Sequence, residues 1–329
     1  MKLAIVILNW NGKKLLSKFL PSVTNNSNGA SIHLIDNASN DDSVNFVSNN
    51  YPSIHIIQNE SNAGYARGYN EGLKHINADV FCLLNNDVKV SENWLNKVIK
   101  CFEKNVNTVI VQPKILDLKS QELFEYAGAA GGFIDKYGYP YCRGRIFNTI
   151  EKDTLQYEGI SDIFWASGAC LFIRKSVFNE LNGFDESFFA HHEEIDLCWR
   201  AKNLGYTIKY VSSSPVYHLG GGTLNAQNSR KTFLNFRNSL FNITKNASGN
   251  LFSLVGVRLF LDGIAGLNFL VNLNPSHTLA IICAHLSYYQ HLPALLKKRK
   301  KLIQKPNYFH KKSIIWCYFI LRKKFYNSL

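Results

Sequence analysis

The sequence predicts an α/β protein with a mostly parallel sheet flanked by helices, followed by a helical extension at the C-terminus. Short apolar strands alternate with amphipathic helices through the first 112 residues, at the spacing of βαβ units. The polar residues Asn9, Asp36, Asn62 and Asp87 each follow a strand or open a helix. Because the carboxyl ends of parallel strands meet at one edge of a sheet, we expect these four side chains to converge there.

Buried strands are predicted where runs of apolar residues lie between polar ones. These runs occupy positions 3–8, 32–35, 54–57, 80–84, 108–111, 168–173 and 206–211. Helices are predicted where apolar residues recur every three or four positions between turn residues. Such segments lie at 13–20, around 44–47, and at 62–76, 91–102, 175–181 and 193–204, and another begins near 235.

Two prolines and one irregular stretch mark expected breaks in this pattern. Pro21 is expected to end the first helix, and Pro113 to stop the strand at 108–111, because proline has no N–H to donate. Residues 114–160 are rich in Gly and Tyr but show no regular period. A long irregular segment inside a compact domain is often a binding loop, so this one is predicted to take part in recognition.

The charge is concentrated at the C-terminus. The chain of 329 residues carries a net charge of +13, and eleven Lys and Arg but no Asp or Glu lie after residue 296. The first 296 residues therefore hold 26 basic residues (37 minus 11) against 24 acidic ones, a net charge of only +2. A nearly neutral folded part argues against a nucleic-acid binder, whereas the basic tail suits an anionic membrane surface. We expect a sheet domain at 1–240, with halves at 1–112 and 113–240, and a helical, basic extension at 241–329.

The cysteines and the N-terminus predict a cytoplasmic protein. Seven cysteines are scattered without a C-x-x-C pair, and most lie in apolar runs, as buried free thiols do in a reducing compartment. The apolar run at 3–8 is too short for a signal peptide. The basic tail further suggests a peripheral position on the inner face of the plasma membrane.

Residues 251–273 are strongly apolar but are interrupted by Arg258 and Asp262. No window of 18 uncharged apolar residues occurs, so no membrane-spanning helix is predicted. The alternatives are helices that pack on the sheet domain, helices that pack on a second copy of the chain as a homodimer, and helices that lie on a membrane surface. The basic segment 297–301 and the aromatic residues at 316–319 favour the membrane surface.

Three groups of polar residues are candidates for chemistry. Asp87 ends a buried strand, where a carboxylate suits Mg²⁺ or Mn²⁺ and the phosphates that accompany them, although a simple turn would also explain it. Glu193, Glu194 and Asp196 open one helix, where they either stabilise its N-terminus or provide a general base. His218, beside Gly220–Gly222, is either a loop histidine or a contact for a metal or phosphate.

Six motifs in this order resemble one known family. They read NWNG at 9–12, DNAS at 36–39, NAGYARGYN at 62–70, LNND at 84–87, GAC at 168–170 and EEIDLCWR at 193–200. Over about residues 1–240 the chain is similar to the family 2 inverting glycosyltransferases of the GT-A (Rossmann-like) fold, in their bacterial rhamnosyltransferase-like branch. Each motif is weak alone, and six in the family's order are specific.

The resemblance implies roles for these positions in binding a nucleotide sugar. Asp36 is expected to contact the base of a UDP- or dTDP-sugar, with Asn9 and Asn11 near the same pocket. A second set is expected to line the diphosphate side: Asn62, Gly64, Arg67, Asn85 and Asn86. Asp87 stands where the metal-binding D-x-D motif of the family ends, but its first Asp is replaced here by Asn85.

The resemblance also implies a catalytic group. His218 corresponds to the later histidine that completes the metal site, and Glu194 to the general base, which is Asp in many members. Glu193 is the rival base, and Asp196 is expected to orient the site or to bind the acceptor. Contacts to the acceptor are expected from Trp165, His191 and His192.

The implied reaction transfers a sugar from a UDP- or dTDP-sugar to a glycan or a polyprenyl-linked glycan, in cell-surface polysaccharide synthesis. Mg²⁺ or Mn²⁺ would assist a single displacement with inversion. Two alternatives stay open: a non-catalytic protein that binds nucleotide sugars or glycans, and a sugar-nucleotide nucleotidyltransferase. The second would carry a Gly-rich loop with Arg and Lys after the first strand, and residues 9–12 do not form one.

Overall fold

The computed structural model describes residues 1–220 and 228–329. The strands are β1 (Leu3–Asn9), β2 (Ala30–Asp36), β3 (His55–Gln58), β4 (Val80–Asn85), β5 (Val88–Val90), β6 (Thr108–Asp117), β7 (Gly132–Ile134), β8 (Pro140–Cys142), β9 (Arg145–Ile146), β10 (Thr149–Ile150), β11 (Ile160–Asp162), β12 (Cys170–Arg174) and β13 (Thr207–His218). The helices are α1 (Lys13–Asn26), α2 (Ser43–Asn50), α3 (Gly64–Leu73), α4 (Trp94–Lys104), α5 (Lys175–Glu180), α6 (Glu193–Leu204), α7 (Ser229–Asn246), α8 (Leu251–Val271) and α9 (Pro275–Arg299).

One central sheet organises the molecule, which confirms the predicted α/β class. Its strand order is β11-β13-β6-β12-β4-β1-β2-β3, and β5 pairs with β13. Strands β1 to β4 are mutually parallel, as predicted, and β6 pairs with β13 in parallel. However, β12 runs antiparallel between β4 and β6, and β5 and β11 pair antiparallel with β13. The sheet is therefore mixed rather than mostly parallel.

The hydrophobic core lies on both faces of this sheet. In β1, Leu3, Ile5 and Ile7 point into one buried cluster, whereas Ala4 and Val6 point into the other. The same alternation continues in β4, because successive side chains of a strand face opposite sides of the sheet. Helices that cover both faces explain why these strands are continuous apolar runs in the sequence.

Neither proline ends the element that it was expected to end. Pro21 lies inside α1, where the buried neighbours Leu20 and Val23 keep the helix packed on the sheet. Pro113 lies inside β6, opposite Val211 of β13. The pairing of β13 shifts register directly after Val211, and such an irregularity tolerates a residue without an N–H.

The segment 114–160 is more regular than its sequence indicates. It continues β6 and then forms a second, antiparallel sheet in the order β10-β9-β8-β7. These strands are only two or three residues long, so they leave no period in the sequence. Likewise β13 is one strand of 12 residues, which joins the two apolar runs at 206–211 and 216–218.

The C-terminal helices are packed closely on the sheet domain. Helix α7 lies against α9 and α6, and α8 and α9 form a helical hairpin. The expected boundary at residue 240 falls inside α7, and the one at residue 112 falls inside β6. All seven cysteines are free thiols, and five of them are buried.

Helix α8 is long and apolar enough to cross a membrane by length and composition, with a mean hydropathy of 1.7, which corrects the expectation that no such helix occurs. Its two charged residues face the sheet domain. Arg258 Nε lies 2.7 Å from Asp262 Oδ1, and Tyr139 Oη donates to the same carboxylate oxygen at 3.0 Å. The opposite side of the hairpin exposes large apolar side chains: Phe252, Phe260, Ile264, Leu267, Leu270, Leu279, Ile282, Leu286 and Tyr289.

We expect Asp262→Ala to lower the free energy of unfolding by about 3–5 kcal/mol, because it leaves the Arg258 guanidinium buried without a counter-charge. Urea denaturation followed by circular dichroism measures this loss. The double variant Arg258→Met with Asp262→Leu should recover most of the stability, since it removes both charges. Glu71→Ala, which breaks the exposed pair with Lys74, should stay close to wild type, and an equal loss there would contradict the interpretation.

Candidate active site

The polar residues at the strand ends converge, as the sequence predicts. Asn9 lies opposite Asp36 in the register of β1 and β2, and both side chains are buried. Asn9 Nδ2 donates to Asp36 Oδ1 at 3.2 Å, and Asn9 Oδ1 accepts from Asn86 Nδ2 at 3.0 Å. Asn9 therefore links the ends of β2 and β4 across β1. Asn85, at the end of β4, is half-buried at the same edge.

The loop after β2 is held by hydrogen bonds to its own polar side chains. Asp36 Oδ1 accepts from Ser39 Oγ at 2.6 Å, and Asp36 Oδ2 accepts from the Ser39 N–H at 2.9 Å. Asn11 Oδ1 accepts from the N–H of Asn40 at 2.8 Å. Asn11 thus orders the rim of the predicted base pocket. Ser39 is also part of this network. It lies in the DNAS motif, but its position in the sequence does not predict this role.

The start of α3 forms the next side of the edge. Asn62 Oδ1 accepts from Asn37 Nδ2 at 2.9 Å and from the N–H of Gly64 at 3.1 Å. Gly64 has φ +84°, and a Cβ atom there would lie 2.6 Å from the carbonyl oxygen of Phe189. Only glycine fits this backbone and this close approach. Arg67, one turn further on, is exposed and lines a cleft of about 310 Å³.

The structure brings Asp87 and His218 together. Strand β5 directly follows Asp87 and pairs with the end of β13, so that His218 Nε2 lies 3.0 Å from Asp87 Oδ1. On the other side of the ring, His218 Nδ1 lies 3.2 Å from Glu125 Oε1. Burial lowers the pKa of His218, but the two carboxylates outweigh this effect and raise it to about 10. Gly221 and Gly222, next to this histidine in sequence, lie outside the described residues.

The donor set at this place fits a divalent cation. The carboxylate oxygen of Asp87 and, once its proton is lost, Nε2 of His218 are both donor atoms that divalent cations accept. Glu125 contacts Nδ1, the other ring nitrogen of His218, so it would orient the ring rather than bind the ion itself. Across residues 1–220 and 228–329, no three His, Cys, Asp or Glu side chains converge on one point as a metal cluster. Asp87 and His218 would therefore hold the ion together with groups of the substrate.

Two glutamates begin α6, and within residues 1–220 and 228–329 neither forms an ion pair with a cationic side chain. Glu193 is buried and Glu194 is half-buried, and among the described residues the Oε2 atom of each lacks a hydrogen-bond partner. Burial raises the pKa of Glu194 to about 7. Burial and the neighbouring Glu194 charge raise the pKa of Glu193 well above its ordinary value. Both shifts favour the protonated form, and the shift of Glu194 places its titration near neutral pH.

Asp196, on the same helix, has a different environment. Its carboxylate is fully buried and accepts from Arg200 Nε at 2.8 Å, Lys245 Nζ at 2.7 Å and Asn246 Nδ2 at 2.8 Å. Burial raises its pKa, but Lys245 and Arg200 outweigh this and lower it. Of the two expected roles, orienting the site fits this geometry. Direct contact with an acceptor does not, because the oxygen atoms are occupied.

The expected acceptor contacts are only partly accessible. Trp165 is buried beneath Gly132 and donates to the Phe133 carbonyl at 2.9 Å, so it packs in the core instead of facing a cleft. His192 is buried as well, and burial lowers its pKa to about 3. His191 is half-buried, and burial together with the charge of Lys231 lowers its pKa to about 4. Both histidines are neutral at physiological pH.

The two sides of the site touch. The N–H of Tyr65 in α3 donates to the Phe189 carbonyl at 2.9 Å, in the loop that leads to Glu193 and Glu194. The start of α3 and the loop before the two glutamates are therefore in direct contact.

The family model of glycosyl transferase family 2 matches residues 4–181. The chain belongs to this family. It is 24% identical over 262 residues to a low-salt glycan biosynthesis hexosyltransferase of Haloferax volcanii, covering 76% of each chain. It is 23% identical over 235 residues to the N-acetylglucosaminyl-diphospho-decaprenol L-rhamnosyltransferase of Mycobacterium tuberculosis, covering 66% of this chain and 75% of that one.

The fold is similar to that of solved glycosyltransferases. The crystal structure of GalNAc-T7 with UDP, GalNAc and Mn²⁺ superposes with a TM-score of 0.64 at 16% identity, covering 98% of this chain and 56% of that one. The protein is therefore a glycosyltransferase of the GT-A fold, with a helical C-terminal region. The two alternatives of the sequence analysis, a non-catalytic binding protein and a nucleotidyltransferase, are not supported by these relatives.

The carboxylate geometry predicts the pH dependence of sugar transfer. If Glu194 is the base, the rate should fall about tenfold per pH unit below about 7, since a protonated carboxyl group cannot accept a proton. Glu194→Gln should lower the turnover number by at least about 100-fold. Glu193→Gln should retain most activity, because burial and the neighbouring Glu194 charge favour the uncharged form of Glu193, which an amide resembles. Steady-state rates between pH 5 and 9 test this, and the reverse ranking of the two variants would make Glu193 the base.

Proposed function

We propose that this chain is an inverting glycosyltransferase that transfers a sugar from a UDP- or dTDP-sugar to a lipid-linked glycan. The observation that supports this most directly is that Glu193 and Glu194 each have a buried Oε2 atom without a hydrogen-bond partner among the described residues. The loop before them contacts the start of α3 through the Phe189 carbonyl and the Tyr65 N–H. A basic group and an anion-binding edge in one site are what transfer from an activated sugar requires.

Glu194 acts as the general base. It takes the proton from the acceptor hydroxyl while that oxygen attacks the anomeric carbon. The bond from the anomeric carbon to the diphosphate oxygen breaks in the same step, and the nucleoside diphosphate leaves with the electron pair. Inversion follows because the oxygen enters on the face opposite the leaving group. The raised pKa of Glu194 suits this task, since a base works best when its pKa is near the working pH.

The strand-end residues bind the donor. Asp36, held by Asn9 and Ser39, faces the base of the nucleotide, and Asn62, Gly64 and the first turn of α3 line the diphosphate. The N–H groups at a helix start favour an anion. Asp87 and His218 would hold Mg²⁺ or Mn²⁺, which neutralises charge on the leaving diphosphate when bound. The GalNAc-T7 structure, solved with UDP and Mn²⁺, is consistent with this assignment.

The acceptor is attached to a lipid and is met at the inner face of the plasma membrane. The name of the mycobacterial relative specifies a decaprenol-linked acceptor. The hairpin α8–α9 carries the exposed apolar side chains described above, and basic residues lie in its last turn and in the segment that follows. An apolar surface beside clustered Lys and Arg is typical of proteins that lie on anionic membranes.

A donor screen tests the proposed reaction. Release of UDP or dTDP from a panel of UDP- and dTDP-sugars is measured with Mg²⁺, Mn²⁺ or chelator. We expect one donor to be turned over, with activity lost in chelator and lowered at least about 100-fold in Asp87→Asn, since a carboxylate ligand becomes a neutral amide. Binding of Mn²⁺ in the presence of UDP, measured by electron paramagnetic resonance, should weaken in the same variant.

Asp162→Asn is the matched control, because this carboxylate lies exposed on β11 and its ion-pair partner among the described residues is Lys209. It should leave both activity and Mn²⁺ binding unchanged. Full activity of Asp87→Asn, or of the wild type in chelator, would contradict the metal assignment. Failure to bind or turn over any nucleotide sugar would contradict the proposed donor class.

Vesicle sedimentation tests the membrane contact. The protein should bind vesicles that contain phosphatidylglycerol more tightly than vesicles of phosphatidylcholine alone, and added salt should reduce the difference. Ile282→Asp should weaken binding to both, because it puts a charge on the exposed side of α9. Leu155→Asp, equally apolar and exposed but outside the hairpin, should bind as wild type does. Concentration-dependent dimerisation that Ile282→Asp abolishes, without vesicle binding, would instead make the hairpin a homodimer interface.

A further inference from the structure

The loop between the short helix Glu186–Phe188 and α6 has an energetically unfavourable backbone. Phe189, His191 and His192 have φ values of +63°, +67° and +70°, although none of them is glycine. Side chains with a Cβ atom are disfavoured in this left-handed region. Such a conformation persists only where the surrounding structure holds it. In this chain the loop leads directly to Glu193 and Glu194, so whatever holds it also sets the position of the proposed base.

One face of α7 supplies that support. Asn238, Asn242 and Asn246 follow one another at intervals of four residues, which places them on the same side of the helix. Asn238 Nδ2 lies 3.1 Å from the carbonyl oxygen of Phe188, 2.9 Å from that of Ala190 and 2.7 Å from that of His191. One buried amide group thus lies within hydrogen-bonding distance of three carbonyl oxygens of the loop.

The next two asparagines continue the contact into α6. Asn242 Nδ2 donates to the His192 carbonyl at 3.2 Å. This carbonyl also accepts the Asp196 N–H at 3.0 Å, so it closes the first turn of α6. Asn246 donates to the Asp196 carboxylate at 2.8 Å. The three asparagines therefore follow the chain from the loop to the first turn of the helix that carries the glutamates.

Ion pairs hold the chain on both sides of the loop at 188–192. Lys245 is buried on α7 and lies between two carboxylates, 2.5 Å from Asp185 Oδ2 and 2.7 Å from Asp196 Oδ1. Asp185 precedes the loop and Asp196 follows it. Lys298 Nζ, on α9, contacts the other oxygen of Asp185 at 2.6 Å. The loop is therefore bounded on both sides by charges that the C-terminal helices neutralise.

We propose that Asn238 and Asn242 are positioning residues of the transfer reaction: they fix the loop at 188–192 so that Glu194 faces the acceptor hydroxyl. This proposal rests on the assignment of Glu194 as the base. Among the described residues, the side-chain amides of both asparagines donate to the loop and not to residues of the donor side. Loss of either contact should consequently affect the turnover number more than donor binding.

Asn238→Asp tests the proposal, because it keeps the size of the side chain and replaces the donor with an oxygen that faces three carbonyls. We expect the turnover number to fall about 100-fold, the order of loss that follows from misplacing a reacting group by about 1 Å. The KM for the donor should change less than about threefold, and so should the affinity for UDP with Mn²⁺. Asn242→Ala should act in the same direction with a smaller effect, since it removes one contact instead of three.

Thr244→Val is the matched control. Thr244 is buried on the same helix, but its hydroxyl group pairs with Tyr288 Oη of α9 at 2.9 Å and not with the loop. Its turnover number should stay within about threefold of wild type once the folded fraction is matched. A loss in Asn238→Asp no larger than that of Thr244→Val, or an equal loss of UDP affinity, would overturn the proposal.

Hydrogen exchange provides a readout that needs no substrate. Peptides that cover 186–196 should exchange faster in Asn238→Asp and in Asn242→Ala than in wild type, whereas those of β1 and β4 should not change. Unchanged exchange of the loop in both variants would overturn the proposal even if the donor screen failed. Conversely, faster exchange together with unchanged turnover in an active enzyme would refute the positioning role and leave the proposed reaction intact.

Discussion

The site depends on a contrast between carboxylates that lie close together in the sequence. Glu193 and Glu194 have no ion pair among the described residues, whereas Asp185 and Asp196 are paired with cations. Glu193 and Glu194 lie within three residues of Asp196, yet only Asp196 receives Arg200 and Lys245. If the cations reached the glutamates, their pKa values would fall and neither would accept a proton at neutral pH. The buried ion pairs of α7 therefore do two things: they neutralise Asp185 and Asp196, and they leave the start of α6 uncompensated.

Much of the donor side could be predicted from the sequence. Mostly apolar runs of four to six residues indicate where strands end, and parallel pairing brings those ends to one edge, so Asn9, Asp36 and Asp87 follow from local signals. The contact of His218 with Asp87 depends on the antiparallel pairing of β5 with β13. That pairing joins residues about 130 positions apart and leaves no local pattern. The resemblance to the family, rather than the residue spacing, is what assigns His218 and Asp87 to one site.

The residues that hold the site in place could not be predicted from local sequence signals. Glu125 lies in a Gly- and Tyr-rich stretch whose strands are too short to show a period, and its contact with His218 spans more than ninety residues. In the sequence, the three asparagines of α7 are simply polar positions of a helix: Asn238, Asn242 and Asn246. The sequence does not indicate which loop they contact. Trp165 is predicted to contact the acceptor, but the absence of a side chain at Gly132 lets the ring pack inward.

The helical region is also more than an attachment to the sheet domain. Arg299 donates from its guanidinium to the carbonyls of Thr244 and Ala247, which closes the C-terminal end of α7, and Lys298 reaches Asp185 beside the strained loop. A fragment that stopped at residue 240 would retain every motif of the family and still lack Lys245, Asn246 and the last turn of α9. The contacts that hold the start of α6 therefore extend well beyond the segment that contains the motifs of the family, as far as Lys298 in the last turn of α9.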